Sequence, residues 1–170
     1  MSVGRFLQQA AAGNAGGATY VDDVFSTYLY GGSGSTQTIT NGIDLDGEGG
    51  MVWIKNRDNT GGSGFHFWFD TERSPTNSDP MYYLRSDSTN AQTSVYYSGS
   101  NRDFVGWAPN GFTLGSPYSL PSSSLNGSSE DDFCSWTFRK QPGFFDVVTY
   151  TGDGAFNGAT QTINHNLGTT

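Results

Sequence analysis

Hydrophobic and polar residues alternate along most of this chain in runs too short for helices. In Phe65-His66-Phe67-Trp68-Phe69-Asp70 the three Phe fall on one side of an extended backbone, and His66, Trp68 and Asp70 on the other, because side chains alternate across a strand. In a strand expected at 132–139, residues 133–139 read the same way: Cys134, Trp136 and Phe138 are expected to face the core, with Ser135, Thr137 and Arg139 facing out. A fully buried Phe or Trp contributes roughly 2–3 kcal/mol, a large share of a domain's net ~5–15 kcal/mol. These two strands are therefore expected at the centre of the two sheets. Further strands are expected at 24–30, 36–40, 51–57, 81–85, 93–97, 104–107 and 144–150. Gly, Asn, Asp and Ser clusters punctuate the runs, and that cadence predicts an all-β, antiparallel β-sandwich.

The first 19 residues break the pattern. Phe6 to Ala12 favour a short helix, and Gly13, Gly16 and Gly17 end it in a joint. A helix this short is marginal alone, so it is expected to order by docking. That makes residues 1–19 an attachment arm, with Arg5, Phe6, Leu7, Gln8 and Gln9 as its contact residues.

Part of the pattern also recurs. Ser35-Thr36-Gln37-Thr38-Ile39-Thr40-Asn41 is echoed by Ala159-Thr160-Gln161-Thr162-Ile163-Asn164-His165, and Phe25 to Tyr30 aligns with Phe145 to Tyr150. Repetition at long spacing indicates modules in a row. The expected division is an arm (1–19), a sandwich module (20–140) and the start of a second, incomplete module or stalk (141–170). On this reading the 170 residues are the front of a longer protein.

Composition narrows the function. Charged residues make up 14%, aromatics 15%, and the net charge is −8. A bare nucleic-acid binder needs a basic face, and an anionic membrane surface needs the same. Neither is expected as a partner. No stretch approaches the ~20 apolar residues of a membrane span. The single Cys134 excludes an internal disulfide. Residues 1–10 lack the apolar run of a signal peptide, so folding in a reducing cytoplasm is expected.

Catalytic signatures are missing from the sequence, and neither an enzyme nor a bound cofactor is expected. His66 and His165 stand far apart. Cys134 reads as a small core residue, since a reactive thiolate needs an electropositive, accessible setting. Asp44, Asp46 and Glu48 share a glycine-rich loop. Calcium favours such oxygen-rich loops, but the spacing does not match the helix-loop-helix signature, and solvated acids are the expected reading. Asp70, Glu72, Asp131 and Asp132 supply carboxylates, yet nothing pairs them as glycoside hydrolysis requires. What remains is a set of aromatics at expected outward positions, Trp68, Tyr82, Tyr97 and Trp107. They suit a sugar platform or, with an attachment arm present, a contact between subunits.

Three motifs resemble the repeated jelly-roll modules in virion proteins of marine tailed phages, including cyanophage-type viruses. The first runs from Asp23-Val24-Phe25 to Gly34, through Thr36-Gln37-Thr38-Ile39, to Gly49-Gly50-Met51-Val52-Trp53-Ile54-Lys55. The second is Asn110-Gly111-Phe112-Thr113-Leu114-Gly115. The third joins Phe133 to Lys140 with Phe144-Phe145-Asp146-Val147-Val148-Thr149-Tyr150-Thr151-Gly152. The resemblance implies a concanavalin or laminin-G-like sandwich and a place in the virion tail. The chain would be the tail-attaching N-terminal part of a tail fibre used in host adsorption. It also implies a homotrimer, partners among adaptor or nozzle-type tail proteins, and host glycan met through distal parts. A lectin-like glycan-binding module and a capsid decoration protein are the alternatives.

Overall fold

The computed structural model describes residues 19–58, 64–78, 80–95, 102–118, 120, 125–127, 131–154 and 160–168. The expected arm up to residue 18, with Arg5, Phe6, Leu7, Gln8 and Gln9, lies outside the described residues, as does Tyr97.

The described residues are nearly all β. A single helical turn, α1 (Val21–Val24), leads into β1 (Phe25–Gly31). The Asp23 carboxylate accepts the Tyr20 backbone N–H and closes that turn. There follow β2 (Gln37–Thr40), β3 (Gly50–Asn56), β4 (His66–Asp70), β5 (Met81–Arg85), β6 (Thr93–Val95), β7 (Phe104–Ala108), β8 (Gly111–Leu114) and β9 (Asp132–Arg139). They form a six-stranded sheet, β1-β9-β3-β4-β5-β6, and a three-stranded sheet, β2-β8-β7. All pairings are antiparallel.

The core lies between the sheets. Val52, Ile54, Phe67, Phe69 and Phe133 from the larger sheet meet Ile39, Phe104, Phe112 and Leu114 from the smaller. Phe69 stacks on Phe104 across the gap at 4.2 Å, and Phe104 on Phe112 at 5.9 Å. Two inner faces interdigitating in this way define a β-sandwich.

β7 and β8 turn about Pro109 and Asn110. Gly111 after the turn has φ +155°, and a Cβ there would come within 1.9 Å of the Ile39 carbonyl oxygen. Only glycine fits this approach. The strand it opens, β8, is not among the expected strands.

Three sequence expectations are corrected. The two strands expected at the centre of the two sheets, β4 and β9, both lie in the six-stranded sheet, on either side of β3. The core side of β9 is Phe133, Ser135 and Thr137, all fully buried, while Cys134, Trp136 and Phe138 face the other way. Register decides this: Thr137 lies opposite Val52 and Ser135 opposite Ile54, both core residues. The hydroxyl of Thr137 is satisfied inside by the Asn41 amide at 2.7 Å. The expected strand at 144–150 does not form. After β9 the chain makes a turn closed by one bridge, Gln141 to Phe145, and the described residues beyond it have no regular structure.

Candidate functional site

The larger sheet has a second apolar face, directed away from the core. On it Trp136, Trp53 and Trp68 stand opposite one another on β9, β3 and β4, with ring centroids 4.9 and 5.7 Å apart. Leu84 extends the row on β5. The neighbouring row holds Phe25, Phe138 and Met51, with Phe25 and Phe138 at 4.9 Å. Directly opposed cross-strand aromatics of this kind stabilise a sheet.

The segment after β9 lies against this face as a strap. Phe145 stacks on Phe138 at 5.1 Å. The Asp146 carboxylate accepts the backbone N–H groups of Val147 at 2.9 Å and Asn166 at 2.7 Å, and it faces Lys140 at 3.6 Å. The Asn166 N–H, aided by Lys140, holds the Asp146 carboxyl below the usual carboxylate range. Lys140 in turn donates to Glu72 at 2.5 Å, and its ammonium pKa is raised by that bond. Between strap and sheet runs a groove of about 610 Å³, lined by Met51, Trp68 and Leu84 on one side and Val147, Val148 and Tyr150 on the other.

One ion pair lies in the groove lining. Arg73 donates its Nε to Asp70 at 2.6 Å, its Nη2 also bonds that carboxylate, and its backbone N–H reaches Asp70 at 2.9 Å. Both side chains are almost out of solvent, Asp70 at 3% and Arg73 at 8% exposure. Arg73 Nη1 and Trp68 Nε1, also shut off from solvent, reach no acceptor among the described residues.

Of the four aromatics singled out in the sequence, Trp68 lies in the groove, and Tyr82 shares the outer face without lining it. Trp107 is corrected: it is 5% exposed and belongs to the core. A bulge between Phe104 and Gly106 inserts one residue, which turns Trp107 to the same side as Phe104. Its indole N–H donates to the Ser74 carbonyl at 2.8 Å. Tyr97 lies outside the described residues.

The carboxylates are dispersed. Asp70 is committed to Arg73, Glu72 to Lys140, and Asp132 faces Arg57 at 3.7 Å. Asp44 accepts the Gly47 N–H at 2.7 Å, closing its own turn. Among the described residues no three His, Cys, Asp or Glu side chains are placed to hold a metal ion. Cys134 is buried on the outer face, where burial pushes its thiol pKa up. His66 accepts the Trp53 indole N–H, and its pKa is lowered, mainly by burial.

Sequence reasoning missed Arg73, Leu84, Met51 and the strap residues as parts of a site. Alternation in residues 51–57 does carry a signal for Met51 and Trp53, since both fall opposite Val52 and Ile54. Nothing local announces that residues 145–150 cross back over them.

Against known families, the chain matches one over residues 21–170, described as Domain of unknown function (DUF7483). It belongs to that family. The DUF7483 match opens at the first residue of α1 and takes in both sheets and the strap, leaving residues 1–20 outside it. Comparison with curated proteins and with solved structures gave no match.

Proposed function

We propose that this DUF7483 protein is a structural component of a tailed-phage virion, acting by assembly in a tail fibre or tail-associated protein. The arm at residues 1–19 docks on an adaptor or nozzle-type tail subunit. The sandwich, of jelly-roll, concanavalin or laminin-G-like type, packs against copies of itself in a homotrimer. Turnover has no part in this reading. Host adsorption follows from avidity, several weak contacts acting together.

The observation that carries it is an echo in sequence without an echo in structure. The first copy supplies β1 and β2, in different sheets. The second copy is strandless over its described residues and leaves Val148 40% and Tyr150 67% exposed. A strand-forming sequence held outside any sheet is suited to partnering another chain. The family boundary adds support, because the matched unit starts after the arm. The phage assignment itself rests on the resemblance of the three motifs.

Immunogold labelling and mass spectrometry of purified virions test the proposal. The expected result is label on the tail, lost when residues 1–19 are deleted. Label on the head, or unchanged incorporation without the arm, overturns it.

A further inference from the structure

We infer that the groove between strap and outer sheet face binds a neutral glycan, one pyranose ring lying along Trp68 and the oxygens of the adjoining sugar, at the indole edge, accepting from Trp68 Nε1 and Arg73 Nη1. The inference stands on the groove alone and is independent of the virion reading.

Two donors in one groove lining lack acceptors. Arg73 is nine-tenths buried, and Asp70 and the Trp68 carbonyl use only its Nε and Nη2. Nη1 reaches no acceptor among the described residues, and neither does Trp68 Nε1. Buried polar groups in native proteins are almost always paired, and both of these atoms can only donate. A molecule that completes the site must therefore bring acceptors.

Charge selects the kind of acceptor. Asp70 already neutralises Arg73, the one cation lining the groove among the described residues, and Asp146 adds a further carboxylate. A carboxylate, sulfate or phosphate would find no surplus positive charge there, on a chain of net charge −8. Hydroxyl and amide oxygens fit without that penalty.

Shape selects the carrier. Met51, Trp68, Leu84 and Val148 make the walls mainly apolar, with Gln92 and Thr149 supplying amide and hydroxyl groups. A pyranose has the matching character, a C–H face to lie on an aromatic ring and hydroxyls around its edge. The volume is that of a small-molecule site. Both donors are closed off from solvent, so the sugar seats deeply and the outer half of the strap yields. Val148 to Tyr150 make no hydrogen bond with the described residues, so only side-chain contacts resist that movement.

The test applies the whole chain to an array of neutral oligosaccharides (hexose, deoxyhexose and N-acetylhexosamine) beside uronic and sialic acid counterparts. Hits are then titrated by tryptophan fluorescence. Binding of a neutral oligosaccharide is expected, weakened at least fivefold by Trp68→Phe, which keeps a ring but removes the donor, and by Tyr150→Ala. Trp136→Phe, outside the groove, should stay within twofold. Absence of any neutral hit, preference for the acidic sugars, or affinity untouched by both groove variants overturns the inference. Tyr150 stands mostly in solvent, so its variant folds and keeps the test decisive. A negative result here leaves tail location unaffected, and head labelling leaves glycan binding unaffected.

Discussion

Trp53 donates its indole N–H to Nδ1 of His66 at 3.0 Å, across the β3–β4 pair. That bond requires Nδ1 to be unprotonated. Burial, and after it the charge of Lys55, lowers the His66 pKa, while Asp87 partly opposes them. The charged form is thus disfavoured in the folded state.

The unfolded chain takes up this proton more readily, so stability falls with pH from about 6.5, the unperturbed value, through the lower folded-state value. Titration of the two histidine ring signals by NMR should place the His66 midpoint below ~6.5. His66→Phe retains the ring but loses the acceptor, and should cost about 1 kcal/mol in chemical denaturation. A His66 midpoint above the unperturbed value would contradict this account.

The buried Asp70–Arg73 pair gives a larger effect. Asp70→Ala leaves a guanidinium nine-tenths buried without its counter-charge, a loss of about 3–5 kcal/mol. The Asp70→Leu, Arg73→Met double variant removes both charges and should lie closer to the parent protein than Asp70→Ala does. Urea midpoints of the three proteins check the order. If the double variant is the least stable, the pair contributes through more than its charges.

Asn126 is a hydrogen-bond hub. Its carbonyl oxygen accepts from Ser33 N at 2.8 Å, Ser33 Oγ at 3.2 Å and Gln37 Nε2 at 2.6 Å. Its amide donates to the carbonyls of Ser35 and Gly115 at 2.6 and 2.8 Å. It thus ties the β1–β2 connection to the end of β8. Asn126→Asp exchanges the donor for an oxygen facing two carbonyls, and should destabilise by at least ~2 kcal/mol, lowering the melting temperature in calorimetry. A change within about 0.5 kcal/mol, the range of neutral surface substitutions, would mean that the loops hold together without it.

Alternation made the strands legible because most runs have one large and one small or polar side. It located β5 and β9 at their observed ends and put Phe67 and Phe69 in the core. It failed where both sides carry bulk. The larger sheet has apolar residues on both faces, so the Trp136 and Phe138 side of β9 resembles a core side, while the actual core side holds Ser135 and Thr137. Trp107 was misplaced by one bulge residue, invisible to parity counting. Residues 144–150 have the composition of a strand, but β9 is already flanked by β1 and β3 and offers no free edge. For the groove, Trp68 was legible as an outward aromatic. Arg73 was not, because Asp70-Thr71-Glu72-Arg73 reads as an ordinary turn. The strap was not, because its position depends on the turn after β9 and on ties to Lys140 and Asn166.

The strap covers part of an aromatic face, and removing it tests that description. A chain ending at Gly143 loses the Phe145 ring from Phe138 and the strap wall beside Met51 and Trp68. The core between the sheets is untouched, so the far-ultraviolet spectrum should keep its β character and unfolding should stay cooperative. Stability should drop by about 2–3 kcal/mol, the transfer of one large aromatic side chain and a few methyl groups to water. Tryptophan emission should shift to the red as Trp68 gains water contact, and a hydrophobic dye should bind more strongly. Because Met51, Trp53, Trp68, Trp136 and Phe138 would then form one contiguous exposed patch, self-association should also rise with concentration in sedimentation, as large apolar patches promote. Unchanged emission together with unchanged dye binding would show that the strap does not rest on this face in solution.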